Sequence, residues 1–452
     1  GKHEKRSTFV KSLLGAFCAL AVACSESEQE EQVFSNEKPT GCEALEVKGE
    51  FIVHWKDGSI TQERAKNKEI FKRQFIRKHL SQIQKVEHNH QLDRVSAEDR
   101  PSVELLNEEG EATVDNWGVL DIEARPVWEQ GVLGQEMVIA VIDTGVDYTH
   151  PQLRNQIAVN AGESGLDNQG RQKQSNGVDD DDNGLIDDYW GYDFFEEDND
   201  PMDSVSHGTH VAGVIAAEHD GSLAGPSEIV QGVAPQAKIL PISFIGQAGG
   251  SVAAAIFALD YAMQRQVDLI NASWGSSGCS PLLKEKLIEV RDHGIGFVAA
   301  SGNKGVNVDK IKSYPASLNL SNQLTVGLIG RFAYQHAISN YGFESVHLFA
   351  PGDRITSTVP ADSQIKDVDG QPIRYREMTG TSMAAPFVAG AVALLRSAYP
   401  TATWSEIRQA LYSGATLGPN YKNASQGRLN VAAAFEDLKA VMEEAPPTAA
   451  AN

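Results

Sequence analysis

The sequence predicts an α/β protein: a doubly wound, mostly parallel sheet preceded by a small α+β segment. Three observations carry this reading. Short, largely apolar runs recur at Val138–Ile142, Ile239–Ile242, Leu269–Ser273, Ile295–Ala300 and Leu324–Leu328, as expected of parallel strands buried on both faces. Helical stretches alternate with them; Ser251–Gln266 links the second run to the third, which is the pattern of a parallel sheet wound by crossovers. Upstream lies a different pattern, one alternating strand followed by a long charged stretch with apolar residues at helical spacing.

Taken in order, the chain opens as an export signal. Lys2, Lys5, Arg6 and Lys11 precede an apolar stretch, Leu13–Ala23, too short to span a bilayer. It ends in Ala21-Val22-Ala23-Cys24, which reads as an Ala-x-Ala cleavage site and also resembles a bacterial lipobox that would lipidate Cys24. The acidic, Ser- and Glu-rich segment Ser25–Glu37 suits a tether after an anchor, so residues 1–24 are assigned to the signal and 25–47 to an acidic linker. Phe51–Gly58 alternates and ends in a turn, so it reads as a strand. Thr61–Gln84 reads as helix, with Ile70, Phe71, Phe75, Ile76 and Leu80 on one face, and Val103–Asn107 as a returning strand. His88-Asn89-His90 reads as surface. Further on, Thr403-Trp404-Ser405-Glu406 is a capping box opening a helix and Asn430 caps the last one. Residues 437–452 read as a disordered tail.

Three segments carry chemistry. Asp143 ends the apolar run Val138–Ile142, where open α/β sheets place their ligands. His207 opens the helical stretch that continues through Val211, Val214 and Ile215, and Ser382 opens another through Phe387, Val388, Ala391 and Leu394. A serine at a helix N-terminus meets free backbone N–H groups and the positive end of the dipole, which favour a developing oxyanion. Carboxylate, imidazole and hydroxyl are the inventory of an activated serine nucleophile. Singly, each residue is more often a cap or a packed side chain.

The wording around them, Asp143-Thr144-Gly145, His207-Gly208-Thr209-His210 and Gly380-Thr381-Ser382-Met383-Ala384-Ala385-Pro386, resembles the subtilisin-like serine protease (subtilase) family from about Trp117 to about Phe435. The chain order Asp, His, Ser is the family's own and so is part of the resemblance. The resemblance implies a serine endopeptidase. In it Ser382 attacks the peptide carbonyl, His207 takes its proton, and Asp143 holds the imidazole. It implies that Asn303, after Phe297–Gly302, donates to the oxyanion; losing such a donor costs about 2.7–4 kcal/mol, a figure obtained on a member of this family. It places Ser273-Trp274-Gly275 and Ala300-Ser301-Gly302 along the specificity pocket, Gly249-Gly250-Ser251 at an edge that pairs with extended peptide, and Tyr314-Pro315 at the pocket's closure, often with a cis bond. Lys304 falls at the rim, where a screened cation disfavours Lys or Arg at the cleaved residue by about 1 kcal/mol at most; apolar or acidic residues are expected there. The strand-helix-strand pattern of residues 48–113 resembles the ferredoxin-like, inhibitor I9-type subtilase propeptide. That implies a zymogen inhibited by its own propeptide, cut near Glu111–Asn116, with the catalytic domain over 114–436.

Between Asp143 and His207 lies Asn176-Gly177-Val178-Asp179-Asp180-Asp181-Asp182-Asn183-Gly184-Leu185-Ile186-Asp187-Asp188. Asp179, Asp181, Asn183, Leu185 and Asp187, with Gly184 for a sharp turn, follow the first half of an EF-hand loop, but Trp190 stands where the twelfth-position Glu belongs. Carboxylates this dense repel one another without a cation, and oxygen donors favour Ca²⁺. Many bacterial subtilases carry a similar loop. A second family calcium site has Asp in His-Pro-Asp-Leu; here the residue is Gln152.

The formal net charge of −22, with no long basic patch after the first dozen residues, argues against a nucleic-acid binder, which would need a basic face. Only Cys279 of the four cysteines lies in the catalytic region, so no disulfide is expected in the mature enzyme. An α/β-hydrolase would show Gly-x-Ser-x-Gly and the order Ser, Asp, His; a zinc peptidase would show His-Glu-x-x-His. Neither is present. The expectation is therefore a monomeric, calcium-binding endopeptidase acting on polypeptides, secreted or lipid-anchored through Cys24. The alternative is an inactive calcium-binding surface protein on the same fold.

Overall fold

A computed structural model describes residues 28–34, 46–95, 98–100, 105–106, 112–222, 225, 227–366 and 372–444. The signal and lipobox residues lie outside this set. The chain divides into two compact units, residues 1–91 and 92–452, so the division falls well before the expected boundary at 113/114.

In the first unit the strand Glu46–Trp55 pairs antiparallel with both Ile60–Arg64 and Ile83–Arg94. A helical stretch, Lys68–His79, connects the latter two. Phe51 stacks on Phe71 at 4.2 Å between ring centroids, and Val53, Ile76, Ile83 and Val86 complete a small core. Three expectations are corrected here. The helix read over Thr61–Gln84 starts only at Lys68, where Asn67 caps it. Residues 60–64 turn back at Asp57-Gly58 and pair instead, with Gln62 and Arg64 donating to Glu50. His88-Asn89-His90 lies within a strand, with Asn89 fully buried and bonded to Glu50, not on the surface. Part of the acidic linker is also structured: residues 28–33 are helical and Phe34 packs edge-on to Phe51. Of the expected return strand, only Leu105–Leu106 is described, paired with Ala112–Thr113.

The second unit is built on a nine-stranded sheet. Its order runs Thr416–Leu417, Gly427–Arg428, Leu348–Pro351, Gln323–Ile329, Gly296–Ala300, Leu269–Ala272, Val138–Asp143, Lys238–Ser243, Tyr192–Asp193. All neighbouring pairs are parallel except 416–417 with 427–428. The five expected strands form, within a residue or two. Their apolar runs are buried because helices cover the sheet. The buried helices His207–Ala216 and Thr381–Ala398 lie in the main core with Val298, Val326 and Leu348. Thr381–Ala398 is long and apolar enough to cross a membrane, yet 83% of it is buried in the fold; it is a core helix.

Caps follow the sequence. Thr403 and Glu406 close the capping box, and Asn430 accepts from Ala433 N–H at 2.9 Å. The last helix runs Val431–Glu444 with Leu438 buried, so the tail expected from 437 is helical to 444. Cys279 is disulfide-bonded; the other three cysteines, at 18, 24 and 42, lie outside the described residues.

Candidate active site

Asp143 and His207 meet from two elements, and Ser382 opens a third, a helix that packs against the His207 helix. Asp143 ends its strand, almost fully buried. His207 is the first residue of its helix, and its Nδ1 lies 2.7 Å from Asp143 Oδ1. A carboxylate only accepts, so Nδ1 carries the proton and Nε2 is the bare acceptor. That Nε2 is buried with no partner among the described residues. The helix can approach the strand this closely because residue 208 is glycine: a Cβ there would lie 2.0 Å from Gly145 O and 3.2 Å from Asp143 Cβ.

One residue that sequence reasoning missed organises this junction. Asp203 accepts from Val205 and Ser206 N–H through Oδ1, and from Thr209 N–H and hydroxyl through Oδ2. Thr144 Oγ1 donates to Asp203 and accepts from Gly208 N–H, at 2.9 Å each. Asp203 thus caps the His207 helix and ties it to the Asp143 loop. Burial pushes its carboxyl up, against the pull of those bonds. An acid four residues before the histidine was the available signal.

Ser382 is the second residue of Thr381–Ala398. Its Oγ donates to Val95 O at 2.8 Å, with Ser273 O also within reach at 3.3 Å. Asn303 stands beside it. Its Oδ1 accepts from both the N–H and the hydroxyl of Thr381, at 2.9 Å each, which leaves the Nδ2 end as its donor. The turn holding Asn303 is set by Asn340, also missed from sequence. Asn340 donates to Ser301 O at 2.8 Å and accepts from Lys304 and Val306 N–H. Gly302 has φ +106°, and a Cβ there would lie 2.3 Å from Asn340 Nδ2.

The residue-134-to-430 span matches the model of the subtilase family. The chain belongs to the subtilase family. Two relatives add detail. The major intracellular serine protease of Bacillus subtilis strain 168 is 34% identical over 285 residues, covering 62% of this chain and 74% of that protein. Subtilisin NAT of Bacillus subtilis subsp. natto is 31% identical over 322 residues, 71% of each chain. The structure of fervidolysin from Fervidobacterium pennivorans, described as a keratinolytic enzyme related to subtilisin, aligns with TM-score 0.63 at 22% identity. That alignment covers 89% of this chain and 62% of that one, and speaks for the fold. This subtilase is accordingly a serine endopeptidase.

Of the segments expected along the cleft of this subtilase, the one holding Ser273 touches Ser382 directly. Ser273 Oγ donates to Ser382 O at 3.0 Å. Trp274–Gly275 pairs antiparallel with Asp93–Arg94, and Val95 N–H donates to Ser273 O at 3.3 Å. Ala300 and Ser301 are buried, while Lys304 is exposed. Gly249–Ser251 forms a short hairpin with Ile245–Gly246, and Tyr314–Pro315 is cis.

In the acidic loop of this subtilase, Asp179 and Asp181 meet Glu163, each with a carboxylate oxygen within 4.8 Å of the others. Glu163, missed from sequence because it lies 16 residues before Asp179, is fully buried. Its Oε1 accepts from Asp180 N–H and its Oε2 has no partner among the described residues. Desolvation first, then Asp188, Asp180 and Asp181, push its carboxyl up to about 7. Gly184 takes φ +92° at the expected turn. Asn183 Oδ1 accepts from Leu185 N–H, and Asp187 accepts from Gly177 N–H; Asp187 is not in the three-carboxylate group. Gln152 is a satisfied structural amide, donating to Glu218 O and Val230 O and accepting from Tyr375 Oη.

Proposed function

We propose that this subtilase cleaves polypeptides through an Asp143–His207–Ser382 triad. The observation that carries the reading is the buried 2.7 Å Asp143–His207 bond, with Ser382 at the start of a helix packed against the His207 helix. In the reaction His207 Nε2 takes the Ser382 proton as Oγ attacks the carbonyl carbon. Asp143 holds the Nδ1–H tautomer and stabilises the imidazolium. Asn303 Nδ2 and the N–H groups opening the Ser382 helix face the oxyanion. His207 then protonates the leaving amine, and water hydrolyses the acyl-enzyme. A serine-directed phosphonate labels Ser382 in the wild type. Labelling is lost in His207→Ala, and kcat falls on the order of 10⁶-fold in Ser382→Ala, the scale measured in a member of this family. A wild type that takes no label favours the inactive surface protein instead.

The calcium reading belongs to the same proposal. Glu163, Asp179 and Asp181 suit a hard cation: three carboxylates, one of them buried with a bare oxygen. Bound Ca²⁺ would neutralise them. At free calcium about 100 times Kd, EGTA should lower Tm by about 5–10 °C, and Glu163→Gln should abolish most of that response. An EGTA-insensitive Tm overturns it. Export, with or without lipid at Cys24, rests on Leu13–Cys24 alone; labelled palmitate incorporated by the wild type but not by Cys24→Ala is the check.

A further inference from the structure

We infer that Gln323 and Thr325 are positioning residues for the cleavage. From inside the sheet they set the turn that closes the pocket for the cleaved residue, and so set how sharply that residue is selected. The inference rests on the protease reading above and on the pocket that the family resemblance places along Ser273–Gly275, Ala300–Gly302 and Tyr314–Pro315. Both side chains are fully buried on one face of the central strand Gln323–Ile329, two residues apart as a strand's period requires. Gln323 Nε2 donates to Pro315 O and Ala316 O at 3.0 Å each, and to Thr325 Oγ1 at 2.9 Å. Thr325 Oγ1 donates in turn to Ala316 O at 2.8 Å. Two carbonyls of one turn are thus pinned by two side chains that are themselves bonded together.

The rest of the turn is anchored too. Arg408 donates to Leu320 O at 2.8 Å. His347 Nε2 donates to Asn319 Oδ1 at 2.8 Å while its Nδ1 accepts from Thr325 N–H. At the turn's other end Tyr314 exchanges both backbone bonds with Ser276, at 2.8 and 2.9 Å. Gly275 lies so close that a Cβ there would meet Tyr314 O at 2.8 Å. Ser273, at the head of the same strip, donates to Ser382 O. The second wall hangs from the same strand, because Ser301 N–H donates to Val326 O at 2.9 Å. One strand therefore holds both walls: Ser301 through its backbone, and the Ser273–Ser276 strip through the turn that Gln323 and Thr325 fix.

Satisfying these carbonyls does not require so much. Pro315 O already accepts from Leu318 N–H at 3.0 Å, and Ala316 O is met twice over. Redundant bonds of this kind add position: an acceptor held from two sides cannot slide toward either, because a hydrogen bond weakens steeply with angle. Apolar contacts, such as those of the strand's core residues Leu324, Val326 and Leu328, lack that direction. A slide of the turn would move Ser276 and, with it, the strip beside the cleaved residue. A displaced wall loses contact with a side chain that fills the pocket and loses little against a small one, so the cost falls on discrimination.

The test compares Gln323→Leu, Thr325→Val and Thr325→Ser with wild type on two matched peptides that differ only in the cleaved residue, Leu or Ala. Titration with the serine-directed phosphonate sets the concentration of active enzyme. A variant that merely folds poorly then leaves the ratio of the two kcat/KM values unmoved. Wild type should favour the Leu peptide. Gln323→Leu and Thr325→Val should each lower that Leu-to-Ala ratio about 10-fold, chiefly through KM for the Leu peptide. Thr325→Ser keeps the hydroxyl and should keep the ratio. Should Gln323→Leu fail to fold, Thr325→Val, which matches threonine in shape, carries the test. Wild-type ratios in both variants, or a ratio restored no better by Ser than by Val, overturn the inference and spare the protease reading, since both peptides are still cut. A wild type that cuts the Leu and Ala peptides equally does the same, for it has no pocket for the turn to shape. A wild type that cuts neither peptide and takes no phosphonate overturns both.

Discussion

Asn303 shows how much of this site depends on side chains aimed by other side chains. Two bonds from Thr381 fix its Oδ1, so in the proposed role its Nδ2 would meet the developing charge with its orientation already set. Asn303→Leu should therefore lower kcat by about 10²–10³-fold with little change in KM; a KM effect alone would assign it to ground-state binding. Asn340 acts one step further back, through the Ser301–Val306 turn. As a positioning residue, Asn340→Ala should show a smaller kcat loss, and added Asn303→Leu should be far from additive, since both act on one donor. Asp143, His207 and Ser382 stood out in the sequence because each sits in a long, distinctive run of residues. Asn340 and Glu163 did not: each is a single polar residue whose role appears only when distant segments fold against it, whereas Asp203 bonds mainly to residues 205–209 and was open to a closer reading.

At the level of elements, the active site is a problem of close approach. The His207 helix reaches Asp143 only because residue 208 has no side chain; a Cβ there would clash with backbone, Gly145 O, which cannot swing away. Gly208→Ala should cost about 1–3 kcal/mol in stability by overpacking. It should also lower kcat by more than that stability loss explains at a temperature where the variant is folded. Unchanged kcat would mean that helix and strand need not be so close. The central strands were readable since burial on both faces leaves unbroken apolar runs, whatever the partners. The small unit was harder. Residues 60–64 carry the same charged, helix-compatible composition as Lys68–His79, and only the turn at Asp57-Gly58 and pairing with Glu50–His54 make them a strand. Tertiary pairing there overrides local preference.

Across the whole molecule, the fold buries histidines that are kept neutral, and this sets its acid limit. His210 Nε2 donates to Ile355 O and Arg376 O, and its Nδ1 is buried without a partner among the described residues. A proton on Nδ1 would have no acceptor. His347 Nδ1 accepts from Thr325 N–H, and Nε2 donates to Asn319 Oδ1, so protonation would break the first bond. Burial lowers both to about 3; His207 adds repulsion at His210, as does Arg408 at His347. In the unfolded chain each takes up a proton near pH 6.5. Below that value the unfolded state binds protons that the folded state refuses, so stability is intact above about 6.5 and is lost as pH falls toward 3. Each histidine should cost about 2 kcal/mol between pH 6.5 and 5. Buried carboxyls that are pushed up, such as Asp203, act in the opposite direction, so the informative quantity is a difference between variants. Urea unfolding of Ser382→Ala protein, which cannot digest itself, is compared at pH 7.5 and 5 with and without His347→Gln, whose amide can keep both bonds. The Gln variant should lose about 2 kcal/mol less over that interval. Equal losses would mean that His347 is not held neutral and that the acid limit is set elsewhere.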